Sequence, residues 1–355
     1  MSPEYYVPAT FRGVLRKLES IANGVAESDR DQSPASGNEE SVHTRDLVGI
    51  TAKILVAALA ITLSLSAEDN PRSKFNVSTP DARRECSQVI VFSDSLADNG
   101  NIFKLLGFPD PPYWHGRSSN GPMAIEDMAA IVGMPLLDYA YAAATTGLGN
   151  LIDGGTPEQL GSLGLPGITT AYNTTIQAIP HHSIRHSLFV VYGGFNDFTS
   201  DGLTPAAADH AVANLIAIVA DLQRRGARWI LVPGLFDMGM TPYYTSQGPQ
   251  TAALATSLSK YFNQKLLELL PEQVVYFDTF GLYRDIQAHP GVFGLTDVVD
   301  ECYDASSGTV CANPNEYLFW DFVHPTEQVQ VILAGRFALA SFRFDHIAVT
   351  PRTEP

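Results

Sequence analysis

The sequence predicts an α/β protein built on a parallel sheet of about five strands, and three observations carry the prediction. Short apolar runs recur from about residue 86 onward. Stretches of helical period lie between them. The first run, VIVF, halts abruptly at Ser93-Asp94-Ser95 and gives way to Asp98-Asn99-Gly100-Asn101. Strands covered on both faces read as continuous apolar runs rather than alternating ones. Alternation of strand and helix at this spacing implies parallel strands joined by right-handed crossovers.

Taken in order, strands are expected at 88–92 (QVIVF), 136–141 (LLDYAY), 187–193 (SLFVVYG), 228–233 (RWILVP) and 274–278 (VVYFD). The clearest helix is 205–224, where Val212, Leu215, Ile216, Val219 and Leu222 share one stripe. Arg224-Arg225-Gly226 closes it with a cationic last turn and a glycine. A second helix covers 249–270 and a last one follows Pro325.

Composition narrows the function. The 355 residues are 45% hydrophobic, enough for a sizeable core, and no internal repeat is visible. A formal net charge of -16 leaves no basic field to neutralise phosphates, which argues against a nucleic-acid partner. It also gives no resting attraction to anionic membranes.

The beginning of the chain differs in character. Residues 1–47 read as an extension, polar and acidic over 18–46 with little to bury, although 5–18 has the pattern of a short amphipathic helix. Residues 48–67 carry Lys53, then an uncharged run from Ile54 to Ala67 closed by Ser64, Ser66 and Ala67. Such a run spans roughly 21 Å as a helix, short of the ~30 Å hydrocarbon core. A positive flank, an apolar centre and small closing residues are the pattern of a secretory signal cleaved after Ser66 or Ala67. Three readings fit the long preceding segment: an over-extended gene start, a type II signal anchor over Leu47–Ala67, or a long cleaved leader. All three put the residues after 70 outside the cytosol, secreted or tethered as a single-pass protein. A globular domain is then expected over 86–346, with a tail at 347–355 and a monomeric state.

There are three cysteines. Cys302 and Cys311 bound a short loop that a disulfide can close, leaving Cys86 as a buried thiol at the entry to the first strand; three free thiols are the alternative. No Cys–His spacing supports a metal, and the histidines at 181, 182 and 186 lack carboxylates at ligand spacing. Asn76-Val-Ser and Asn173-Thr-Thr are glycosylation sequons, usable in a secreted chain.

In open α/β sheets, sites form at the carboxyl ends of the strands. Ser95 follows the first strand, where a nucleophile belongs. Asp321 and His324 precede the last helix, three residues apart, so the carboxylate can accept from Nδ1–H and leave Nε2 as the base. Asn196 follows the third strand with a side-chain N–H. Together with the backbone N–H groups of Ser95 and Ala143 it can form a three-donor oxyanion hole. Asp94, Asp98, Asn99 and Asp197 read as turn and capping residues. Tyr113, Trp114 and Arg117 suit either a pocket lining or surface packing. No phosphate loop, GxGxxG or HExxH is present.

Four blocks, SDSL with ADNGN, DYAYAAATTG, GGFND and WDFVHPT, resemble those of the GDSL esterases and lipases of the SGNH hydrolase superfamily. The likeness runs from about Gln88 to Phe342. Segments PPYWHGRSSNGP (111–122), GLFDMGMTP (234–242) and CANPNEYLFWDFVHPT (311–326) resemble the large secreted branch of phospholipase, hemolysin-like and acyl-esterase enzymes. The resemblance implies a three-layer α/β/α sandwich of flavodoxin-like type and a serine ester hydrolase that needs no metal or organic cofactor. It implies Ser95 as nucleophile, His324 as base and Asp321 as its orienting carboxylate. The oxyanion donors would be Ser95, Ala143 and Asn196, and Cys302–Cys311 the cysteine pair. Substrates would be small-molecule, polysaccharide or lipid esters, with short acyl or acetyl groups favoured by the acidic charge. Two positions depart from the pattern. Ser93 stands for the glycine that opens the first block, and Ala143 for a glycine that donates an oxyanion N–H. Alanine keeps that N–H but does not take positive φ cheaply. These departures motivate the alternative of a weakened, non-catalytic binding protein on the same scaffold.

Overall fold

In the computed structural model of this chain, the described residues are 86–342. The extension, the signal or anchor, Asn76 and the tail lie outside them. β1 (Gln88–Phe92), β2 (Leu136–Asp138), β3 (Ser187–Val191), β4 (Trp229–Pro233) and β5 (Val275–Phe277) form one sheet in the order β2-β1-β3-β4-β5. Every pairing is parallel. This is the doubly wound, flavodoxin-like order, which reverses direction between β1 and β3. The central strands are buried along almost their whole length because helices cover both faces, the reason their sequences do not alternate.

The second strand is shorter than its apolar run suggests. It ends at Asp138, and Tyr139-Ala140-Tyr141 continue as irregular chain tied to β1 by Tyr139 N–H to Val91 O and Tyr141 N–H to Ser93 O. As an edge strand, it lacks a second neighbour to extend its ladder.

The helices, in chain order, are α1 (Asn101–Leu106), α2 (Ala124–Val132), α3 (Ile168–Thr175), α4 (His181–Arg185), α5 (Phe195–Asp201), α6 (Pro205–Arg224), α7 (Pro242–Thr245), α8 (Pro249–Leu269), α9 (Thr279–Ala288) and α10 (Glu327–Phe342). α6 starts where Thr204 Oγ1 accepts from Ala207 N–H and Pro205 fills the first helical turn. Its buried stripe is Val212, Leu215, Ile218, Val219 and Leu222 with Ala207, Ala208 and Ala211. Ile216, expected in the stripe, is only partly buried, and Ile218 is buried in its place. α10 lies against α2, linked by Ala124 N–H to Gln330 Oε1 at 2.9 Å.

Two small sheets precede the last helix in the chain. β6 (Asp297–Glu301) pairs with β9 (Tyr317–Phe319), and β7 (Tyr303–Asp304) pairs with β8 (Thr309–Val310) in a hairpin. Cys302 and Cys311 bracket that hairpin and are joined as a disulfide. Cys86 is buried outside it. None of these short strands has a period that sequence patterning detects.

Candidate active site

Ser95 sits in the turn directly after β1. Asp94, in front of it, is buried and accepts Leu96 N–H on Oδ1 at 2.9 Å, which curls the chain tightly around Ser95. Asp98 continues the turn. Its carboxylate accepts N–H groups from Gly100, Asn101 and Ile102 and also from Ala142, so it caps α1 and ties the Ser95 turn to the loop after β2. Asn99, read from the sequence as a second cap, does not cap; its Oδ1 is buried without a partner.

The other half of the site comes from the segment before α10. Asp321 Oδ1 accepts Val323 N–H and His324 N–H at 2.8 and 2.7 Å, while Trp320 N–H donates to His324 O. This closed turn brings His324 Nδ1 to 2.8 Å from Asp321 Oδ2. On the far side of the ring, Nε2 is 2.8 Å from Ser95 Oγ. With Nδ1–H donating to the carboxylate, Nε2 accepts from the serine hydroxyl.

Electrostatics follow from burial and pairing. Burial alone would lower the His324 pKa, but the Asp321 charge and hydrogen bond, helped by Asp94, hold it above its ordinary value. Burial pushes Asp321 up, and the imidazolium with the two backbone N–H groups outweighs it, so its pKa lies below normal. Asp94, buried without a full set of donors, is pushed up to about 6.

The third block enters through a glycine. Gly194 has φ 131°, open to glycine alone, and the chain then turns into α5 with Asn196 in its first turn. Asn196 Nδ2 donates to Ala144 O at 2.9 Å, and its other contact, to Asp94 Oδ2, is long at 3.5 Å. One amide hydrogen is therefore weakly held and available to a new acceptor. Asp197 beside it is structural: it accepts Thr146 N–H and Oγ1–H at 3.0 and 2.6 Å and locks the loop after β2.

Ala143 lies in that loop with φ 61°, in the left-handed region. The backbone thus has the conformation that favours glycine, and alanine adopts it at a cost of about 1–2 kcal/mol. Its carbonyl accepts Leu151 N–H. Ser93, by contrast, is not at positive φ, so glycine is not demanded there; its hydroxyl is buried without a partner.

The segment 111–122 is not simply a pocket wall. Tyr113 Oη donates to Asp321 Oδ2 at 2.8 Å, Ser119 Oγ donates to Pro325 O, and Asn120 Oδ1 accepts Glu327 N–H. Arg117 pairs with Glu126 and lies over Trp114, 5.0 Å from its ring centroid. Sequence reasoning missed this bracing role, since nothing in the segment's pattern names its distant partner. It also missed Phe322, 44% exposed beside His324 and packed on Tyr243. Glu158, Asp201 and His210 bring ligand-type atoms within 4.8 Å of one another, but surface groups of this kind are common without an ion.

A serine after β1 in contact with a histidine before the last helix, and an asparagine after β3, on a flavodoxin-like sheet, form the arrangement that serine hydrolases use. Residues 89–337 match the family described as GDSL-like lipase/acylhydrolase, and the chain belongs to that family. It is 26% identical to a GDSL esterase/lipase of Arabidopsis thaliana over 70% of this chain and 80% of that protein. It is 28% identical to the phosphatidylcholine-sterol acyltransferase of Aeromonas hydrophila over 76% and 95%. Among solved structures, a lipolytic G-D-S-L family protein of Veillonella parvula aligns at TM-score 0.42 and 12% identity over 72% of this chain and 98% of that one. The protein is a carboxylic ester hydrolase, and the non-catalytic binding reading is not favoured.

Proposed function

We propose that Ser95, His324 and Asp321 carry the ester hydrolysis, and that the 2.8 Å contact between Ser95 Oγ and His324 Nε2 is the observation that supports it best. His324 takes the hydroxyl proton as Ser95 Oγ attacks the ester carbonyl. The oxyanion forms against the N–H groups of Ser95, Ala143 and Asn196, of which the backbone pair has no acceptor among the described residues. The imidazolium then protonates the leaving alcohol oxygen, the carbon–oxygen bond breaks, and an acyl-Ser95 ester remains. A water molecule, deprotonated by His324, releases the acid.

The preferred substrates in this reading are uncharged esters with short acyl groups, supported by the net charge of -16, which disfavours anionic surfaces. A lipid ester is the second reading, favoured by the exposed Phe322 beside His324 and by the Aeromonas relative's acyltransferase name. Secretion is supported by the disulfide and by Asn173, exposed on α3. Chromogenic esters of two to sixteen acyl carbons and phosphatidylcholine vesicles, given to the full-length protein, test the choice. A rate maximum at two to four carbons with no vesicle hydrolysis is expected. A maximum at long chains, or hydrolysis of vesicles, replaces the first reading by the second.

A further inference from the structure

Asp321 is almost completely buried, and its two oxygens are served differently. Oδ1 takes the backbone N–H groups of Val323 and His324 and lies 2.9 Å from His324 Nδ1, which thus straddles both oxygens. Oδ2 faces His324 Nδ1 and one other donor, the phenol of Tyr113, which arrives from 208 residues away in the chain at 2.8 Å. We propose that Tyr113 is a positioning residue for the acid–base pair: its hydroxyl fixes the Asp321 carboxylate and spreads its charge, setting how strongly that carboxylate holds the His324 imidazolium. The inference rests on the reading of Ser95, His324 and Asp321 as the catalytic triad.

The phenol is itself held in place. Its ring packs edge-on to Tyr303 and Trp320, with centroids 5.5 and 6.1 Å away. Those two rings stack on each other, and Tyr303 N–H donates to Trp320 O. Behind Tyr113, Trp114 N–H donates to Ser119 O, and Ser119 Oγ donates to Pro325 O, next to His324. A residue clamped on both sides delivers its donor at a fixed angle.

The surrounding charges make this donor count. Glu301 lies near both Asp321 and Tyr113, Tyr303 lies beside Tyr113, Asp304 and Asp300 lie near Glu301, and Asp94 lies near His324. Among the described residues, the other ionisable side chains named here are acidic or phenolic, and Tyr113 is the one side chain besides His324 that donates to the Asp321 carboxylate. Burial and the Asp321 charge push the Tyr113 pKa far up, so it remains an O–H donor throughout the working range. Its positive dipole end points at Oδ2, where it opposes the imidazolium. Removing it strengthens the carboxylate's net pull on His324 and frees Oδ2 to rotate.

The experiment is the full-length Tyr113→Phe variant, which keeps the ring against Tyr303 and Trp320. With a soluble chromogenic ester, kcat is expected to fall roughly three- to tenfold with KM within about twofold, as for an interaction that matters in the transition state. The acid limb of kcat/KM is expected to move up by about 0.3 pH unit or more. A packing residue moves neither. Wild-type kcat with an unmoved limb, or a limb that moves down, overturns the inference. Should the variant fold poorly, 3-fluorotyrosine at position 113, a stronger donor, must shift the limb down; no shift overturns the inference as well. Ser95→Ala, measured in parallel, separates the two ideas: residual turnover there removes the triad reading, whereas an inert Ser95→Ala beside an unaltered Tyr113→Phe removes only the role of Tyr113.

Discussion

Ser95 Oγ and His324 Nε2 lie 2.8 Å apart although 229 positions of chain separate them. The contact depends on two turns, each closed by its own aspartate: Asp94 around the serine and Asp321 around the histidine. Ser95→Ala should leave the fold intact and reduce ester turnover to at most the residual rate of an oxyanion hole, orders of magnitude below wild type. A serine-directed phosphonate should label Ser95 once per chain by mass spectrometry. Labelling at another serine, or full activity of the variant, removes the assignment.

Activity and stability should respond to pH in opposite directions. As the proposed base, His324 acts in its neutral form, and its pKa is raised, so activity should fall on acidification with a midpoint above ~6.5. Stability runs the other way. Asp94 is pushed up to about 6 and Asp127 and Asp197 to about 7, all by burial, so the folded state binds more protons than the unfolded state between about pH 4 and 7. That stabilisation is present at the acid end of this window and is lost as pH rises through the raised values. The His324–Asp321 pair adds the same sign, being lost as pH rises through the histidine's folded value. Calorimetry should give a Tm at pH 5 higher than at pH 8 by about 3 °C or more, equivalent to ~1 kcal/mol in a domain of this size. A lower Tm at pH 5 contradicts the burial argument.

At Ala143 the strain of a left-handed alanine, φ 61°, falls on stability rather than on the donor. Ala143→Gly removes about 1–2 kcal/mol of strain and reintroduces up to ~1 kcal/mol of backbone entropy. The net gain is roughly 0–2 kcal/mol, so the variant should melt no lower than wild type and up to about 8 °C higher. Because the N–H is already in the conformation a glycine would adopt, kcat should change by less than about threefold, against the ~10²–10³ that a whole oxyanion donor is worth. A tenfold rise in kcat would show instead that the methyl group had displaced the donor.

The Cys302–Cys311 bridge ties the hairpin to the active-site turn, since Cys302 N–H donates to Phe319 O and Tyr303 N–H to Trp320 O. Non-reducing peptide mapping should recover this pair and no bridge to Cys86. Cys302→Ser with Cys311→Ser should cost about 2.5–3 kcal/mol in denaturant titration, the value for closing so short a loop. Kinetically the double variant should lose activity together with order at Tyr303 and Trp320. Unchanged stability would show that the hairpin is held by β6 and β9 alone.

Much of this protein was legible in its sequence, for local reasons. Continuous apolar runs followed by Ser93-Asp94-Ser95 and Gly193-Gly194-Phe195-Asn196 determine a buried strand, its end and the side chain presented there, because those effects act over a few residues. The Asp321–His324 pair is likewise local, one turn closed by its own carboxylate. Tertiary structure decided what depends on distant partners. Tyr113 meets Asp321, Asp98 holds Ala142, and Asp197 locks Thr146 only when the strands lie in the order β2-β1-β3-β4-β5. The positive φ of Ala143 has the same origin: the loop after β2 is anchored on both sides by carboxylates from other segments, and that imposed path overrides the preference of an alanine.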